Sequence, residues 1–224
     1  MDWIALLMAF AIALTATGCQ RNAPAGQWRL PQPDRKGKMT VAAALAARRS
    51  IRRYAPAELT EEQISQLCWA AAGITEPGRG LRTAPSAGAL YPLEIYLVTA
   101  KGAFRYQSRG HLLLGHVDGD LRRKLQSAAL EQDFVGAAPA CFVIAAVEKR
   151  CAVKYGQRAW RYCLLEAGHV AQNIHLQATA LSLGSVPVGA FEDRRVAEVM
   201  RLPADQRPIY LIPVGRVKSG AKGR

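Results

Sequence analysis

The sequence predicts an α+β domain: a mostly antiparallel sheet surrounded by helices, with one long helix at its centre. Three observations carry that prediction. Ala140 to Val147 (ACFVIAAV) is a continuous apolar run, the pattern of a strand buried on both faces. Residues 158–183 hold no proline, and Trp160, Cys163, Ala167, Val170, Ile174 and Ala178 recur there at helical spacing. The order of elements (helices, strands, a helix, a strand, the long helix, a last strand) groups strands as an α+β domain does. At 224 residues the chain suffices for one well-buried core and is too short for two full-sized ones.

The N-terminal region stands apart. Residues 3–17 (WIALLMAFAIALTAT) are unbroken apolar or small residues, fewer than the ~20 a bilayer-spanning helix needs. They run into Ala16-Thr17-Gly18-Cys19, which resembles the lipobox of bacterial lipoproteins. Residues 1–18 are therefore expected to be a signal peptide, with a lipid on Cys19 holding the protein at a membrane of the bacterial cell envelope, facing away from the cytoplasm. An uncleaved anchor or a mis-assigned start codon is the alternative. Residues 19–38, with prolines, glycines, charges and no periodicity, read as a tether. The domain is expected over 39–219, and 220–224 is a basic tail.

Within the domain, Thr40 caps a helix through about Arg49, and Thr60 with Gln63 forms a capping box for a second helix stopped at Gly73. Ile74 to Leu90, rich in Gly, Pro, Thr and Ser, reads as a loop. Leu93 to Thr99 is a strand, and Phe104 to Gln107 with His111 to Val117 forms a hairpin around Ser108-Arg109-Gly110. A helix opens at Asp118 or Gly119 and runs to about Leu130. After the strand at 140–147, Lys154 and Tyr155 fall in a loop, and the long helix runs to a stop at Gly184. Ser185 to Phe191 is a short strand or loop, Glu192 to Met200 a helix, and Pro208 to Val217 the last strand.

Thirty Lys plus Arg stand against 17 Asp plus Glu. The cations are scattered, without aromatic interleaving or a nucleic-acid module, so nucleic acid is not the expected partner; solvated faces plus one anion pocket account for the balance. Apart from Cys19, the cysteines show neither C-x-x-C nor zinc-like spacing and read as small core residues. Glu166-x-x-His169 has the spacing of a di-iron ligand pair, but one copy is insufficient and no metal is expected. His169, His175, His111 and His116 read as structural.

Neither G-x-G-x-x-G nor G-x-x-x-x-G-K-[ST] occurs. What remains is Arg48-Arg49-Ser50-Ile51-Arg52, where guanidinium forks and a hydroxyl gather at a helix end. Together with Pro85-Ser86-Ala87-Gly88-Ala89-Leu90-Tyr91-Pro92, Lys154-Tyr155-Gly156, Glu166-Ala167-Gly168-His169, Val188-Gly189-Ala190-Phe191 and Pro213-Val214-Gly215-Arg216, in that order, it resembles the nitroreductase superfamily, and within it the SagB-type dehydrogenase branch. The similarity runs from about Met39 to Val217.

That resemblance implies a nitroreductase-like fold with the long helix at a homodimer interface, an FMN cofactor, and two-step hydride exchange between a substrate and the flavin. It places Arg48, Ser50 and Arg52, with Arg216 and Lys218, at the FMN phosphate. Ser86 and Gly88 would lie along the ring or ribityl chain. Pro187, Val188, Gly189 and Ala190 would pass the reactive nitrogen, where main-chain N–H groups stabilise the reduced ring. Lys154 and Tyr155 would take the proton as hydride leaves, a task suited to a lysine whose burial lowers its pKa. The substrate is a small molecule or peptide, and the electron partner NAD(P)H or, for an exported protein, an envelope redox partner. The alternative is a non-catalytic flavin-binding carrier or sensor lipoprotein.

Overall fold

The computed structural model describes residues 26–220. The expected signal peptide and Cys19 lie outside the described residues, and no described helix is long and apolar enough to cross a membrane.

The first departure from expectation comes at once. Residues 26–38 are part of the domain: β1 (Gln27–Arg29) pairs antiparallel at the sheet edge, and Leu30 is buried. Asp34 N–H donates to Gln66 Oε1 and Gln66 Nε2 returns a bond to Asp34 O, both 2.9 Å. Prolines and charges suggested a tether because three strand residues are too short to show alternation.

Both predicted caps form. Thr40 accepts from Ala43 N–H before α1 (Val41–Ala47), and the Thr60–Gln63 capping box opens α2 (Glu61–Ala72). The segment read as a loop contains a small hairpin, β2 (Ile74–Glu76) with β3 (Leu81–Arg82), then a single 3-10 turn at Ala87–Ala89. β4 (Leu93–Thr99), β5 (Gly102–Gln107) and β6 (Leu112–Asp118) follow as a meander. The helix expected to Leu130 is split into α3 (Arg122–Ala128) and α4 (Asp133–Ala137), with Leu130 and Glu131 at positive φ between them.

The central strand β7 (Ala140–Ala146) is entirely buried and lies between β4 and β9 (Arg207–Arg216). Its continuous apolar character has a direct cause, because successive side chains face opposite ways and both faces are covered. Phe142 and Ile144 pack with α2 and α6 (Ala159–Ala180); Cys141 and Val143 pack with Leu125 of α3 and with Val196 of α7 (Asp193–Val199). The seven-stranded sheet has the order β1-β6-β5-β4-β7-β9-β8, with β8 at Leu183–Ser185, and every pair is antiparallel. This is the predicted α+β architecture.

Two more expectations are corrected here. Lys154 and Tyr155 sit in the last turn of a helix, α5 (Glu148–Tyr155), rather than in a loop. The long helix ends at Ala180, where Ser182 takes the left-handed φ of 57°; Gly184 lies within β8. The four cysteines of the described residues are free and buried, as small core side chains.

Candidate active site

Two groups of the predicted residues come together in space, each by its own means. The first is held by backbone pairing. Beyond Ala47 the chain runs extended beside the sheet edge, with Ser50 bridging Ser185 in parallel and Tyr54 bridging Val217 in antiparallel. Ile51 N–H donates to Ser185 O (3.0 Å), Ala55 N–H to Arg216 O (2.8 Å) and Lys218 N–H to Arg53 O (3.1 Å). This ladder brings Arg52 and Arg53 beside Arg216 and Lys218, all exposed, although more than 160 residues of sequence separate the two stretches. The close approach requires glycine at 184, where a Cβ would lie 2.5 Å from Ile51 Cγ2. No carboxylate is paired with these cations among the described residues.

Arg48 is half-buried and points inward, its Nη1 2.9 Å from His175 Nε2. Arginine can only donate, so Nε2 accepts, the ring proton sits on Nδ1, and Nδ1–H donates to Ser185 Oγ at 2.6 Å. Burial first, and then the Arg48 charge, push the His175 pKa down to about 4. The imidazole stays neutral and orients Arg48, a role the sequence reading missed because nothing in it ties residue 48 to 175.

Nearby, the stretch 187–190 is only partly available. Proline has no N–H, and Val188 exchanges both backbone hydrogen bonds with Leu211 (2.8 and 3.0 Å). Gly189 and Ala190 are exposed, and Ala190 O accepts from Gln132 Nε2 at 2.8 Å. The expectation of main-chain donors along all of 187–190 therefore narrows to Gly189 and Ala190.

The second group is held by side chains around the turn at 82–91. Gly88 has φ 63° and ψ 16°, and a Cβ there would lie 3.1 Å from Tyr155 Oη and 3.3 Å from Lys154 Nζ. Gly88 and the Lys154–Tyr155 pair thus meet directly. Lys154 is exposed rather than buried. Tyr155 packs on Tyr162 of α6 with ring centroids 4.5 Å apart. Arg150 anchors α5: its guanidinium donates to Tyr91 O (3.1 Å) and pairs with the buried Glu94, which also meets Arg105 at 3.3 Å. Arg82 stacks on Tyr91, 4.2 Å from the ring centroid, and Asn173 Nδ2 donates to Thr83 O at 3.3 Å. Beneath lies Glu166, 5% exposed, with Oε2 lacking any hydrogen-bond partner. Burial pushes its pKa up to about 7, against the Ser86 hydroxyl and Arg82, which pull it down.

The site thus joins a group of exposed cations, Arg52, Arg53, Arg216 and Lys218, with a glycine turn that meets a Lys–Tyr pair. The nitroreductase family profile matches residues 45–216, and the chain belongs to the nitroreductase family. A Methanocaldococcus jannaschii protein that carries the name nitroreductase is 42% identical over 178 residues, 77% of this chain and 88% of that one. A crystal structure from Ralstonia eutropha, also bearing that name, has 34% identity and a TM-score of 0.80, covering 86% of this chain and 90% of its own. A chain of the Escherichia coli microcin synthetase complex, solved with truncated pro-MccB17 bound, shares the fold at a TM-score of 0.67 and 21% identity, covering 95% of this chain and 85% of that one. Family membership makes the protein an oxidoreductase.

Proposed function

We propose that the chain is an FMN-dependent dehydrogenase of the SagB type, working as a homodimer on a small-molecule or peptide substrate. The contact of Lys154 and Tyr155 with Gly88 carries this reading. A flat ring needs backbone approach without a Cβ, and a dehydrogenation needs a proton acceptor where the ring lies; residue 88 supplies the first and the pair supplies the second.

The residues present fit the cofactor. Arg52, Arg216 and Lys218 offer uncompensated cations to one terminal phosphate, and Arg48 is held ready by neutral His175. Ser50 adds a hydroxyl, Ser86 and Gly88 border the ring position, and Gly189 and Ala190 keep exposed backbone near it. When bound, FMN supplies the hydride acceptor. Lys154 and Tyr155 take the proton lost from the same substrate, so hydride and proton together account for the two hydrogens removed. Arg150, through Tyr91 O and Glu94, fixes α5 so that the pair stays against the turn.

Leu164 and Leu165 are exposed on α6 at 44% and 52%, beside exposed Gly168 and Gln172 on following turns, which favours a second copy covering this helix. The lipid on Cys19 and the envelope location complete the reading, with an envelope redox partner or NAD(P)H as electron partner. Purified protein is expected to be yellow and to prefer FMN to FAD; a colourless protein that takes up no FMN on titration refutes the reading. Palmitate labelling abolished by Cys19→Ala tests the anchor.

A further inference from the structure

We propose that the chain carries a second anion site, apart from the flavin end, which takes a phosphate monoester with a ring-sized body, the chemistry of a mononucleotide. It stands independently of the flavin reading, because its cavity shares no lining residue with the Gly88 turn or the cations around Arg52.

The cavity has a volume of about 460 Å³, the size of an ordinary small-molecule site. It is bounded by the chain leaving β1, the β2–β3 hairpin and the β5–β6 turn, and Arg29, Arg35 and Arg109 line it together. All three arginines are exposed, and none is paired with a carboxylate among the described residues. The acids nearest in sequence are turned to other work: Glu76 meets Arg79 at 3.6 Å, and Asp34 Oδ1 accepts from Lys36 N–H at 2.8 Å. Neither lines the cavity. Three like charges gathered without a counter-ion repel one another, and a bound oxyanion relieves that repulsion.

The arginines are carried on a fixed frame. Ser65 Oγ donates to Pro31 O (2.6 Å), so it accepts from His111 Nε2 (2.7 Å), and His111 Nδ1 pairs with Tyr106 Oη (2.8 Å). Leu30 N–H donates to His111 O at 3.1 Å. These bonds tie the chain beside Arg29 to the turn that bears Arg109. They also engage both nitrogens of His111, so recognition of an anion falls to the arginines.

Counting donors selects the anion. Three guanidinium forks present about six N–H donors when each is bidentate. A phosphate monoester meets them with three terminal oxygens and a charge of about −1.5 to −2, whereas a carboxylate brings two oxygens and a single charge. The remaining lining includes Trp69, Ile74 and Pro77, an apolar surface for the body of the ligand. Trp69 adds a buried indole N–H that has no hydrogen-bond partner among the described residues.

Equilibrium dialysis of the full chain against adenosine 5′-monophosphate, adenosine and inorganic phosphate tests the inference. The monophosphate should bind at one site per chain, and the other two at least about tenfold more weakly, since each lacks one half of the ligand. Arg29→Ala with Arg109→Ala should weaken monophosphate binding by about a hundredfold, roughly tenfold for each charged hydrogen bond lost. Arg79→Ala, at an exposed arginine outside the cavity, and Arg52→Ala, at the flavin end, should leave it unchanged. No binding of the monophosphate, equal affinity for inorganic phosphate, or a loss caused by Arg52→Ala and not by the double variant would each overturn the proposal.

Discussion

The two halves of the site are made from different physics. At the cation end the backbone does the positioning: bridges from Ser50 to Ser185 and from Tyr54 to Val217 fix where Arg52, Arg216 and Lys218 emerge, and the side chains themselves are exposed. At the Gly88 end the backbone is a single turn, and Arg150, Asn173 and Tyr155 hold it from outside through side-chain contacts. Exposed charges on a fixed scaffold are additive and salt-sensitive; buried groups around a turn are coupled and pH-sensitive. The first half should therefore control affinity and the second reactivity.

The largest effect expected from that division is at the cation end. Arg48→Ala with Arg52→Ala should weaken FMN binding by about 3–6 kcal/mol, two charged hydrogen bonds at about 1.5–3 each, while riboflavin, which lacks the phosphate, binds almost as before. Equal losses for the two ligands in a fluorescence titration would show that these arginines shape the fold rather than hold phosphate. At the other end, Lys154→Ala and Tyr155→Phe should each lower turnover by about 10²–10⁴ with flavin content unchanged. If either strips FMN, or both leave turnover intact, the division between affinity and reactivity fails.

The two ends were also unequally legible in the sequence. Periodicity revealed β7 and α6 because long, strongly patterned segments carry their own signal, and Thr60 with Gln63 marked α2 by a local hydrogen-bond pair. Arg48, Ser50 and Arg52 stood out as a cluster. What holds them did not: the ladder to residues 185 and 216–218 and the His175 partner of Arg48 depend on contacts between residues more than 100 apart. β1 was hidden for the converse reason, since it is a three-residue edge strand whose only partner, β6, is distant in sequence. Glu166 was visible only as half of a metal-like spacing; its burial belongs to the packing of α6 and not to its neighbours in sequence.

A smaller effect separates strain from contact at Gly88. Gly88→Ala places a Cβ 3.1–3.3 Å from Tyr155 and Lys154 in a backbone with φ 63°, whereas Gly80→Ala has a similar φ of 67° and nothing within 4 Å. Both should lose about 1–2 kcal/mol of stability from left-handed alanine. Only Gly88→Ala should also lower turnover, because its Cβ displaces the pair. Equal turnover in the two variants would remove the contact from the mechanism.

The finest test opposes one buried group from each end. His175, held near 4, is neutral in the folded state while the unfolded side chain protonates near 6.5, so the stability it provides is complete above 6.5 and is lost as pH falls toward 4. Glu166, held near 7, is protonated in the folded state while its unfolded counterpart ionises near 4.5, so the stability it provides is complete below 4.5 and is lost as pH rises through 7. Between pH 5.0 and 6.5 the two slopes oppose, and the wild type should change little on their account. Glu166→Gln leaves the His175 slope alone, and urea unfolding at fixed protein concentration should show stability falling by about 1–2 kcal/mol from pH 6.5 to 5.0. His175→Gln should show stability rising by a similar amount over the same interval. Subtracting one variant from the other removes every titrating group they share, including the Asp120 carboxyl that Arg122 holds low. A difference between the two variants that does not change with pH would mean that the burial of these side chains does not govern their protonation, and the contrast between the two ends would then rest on geometry alone.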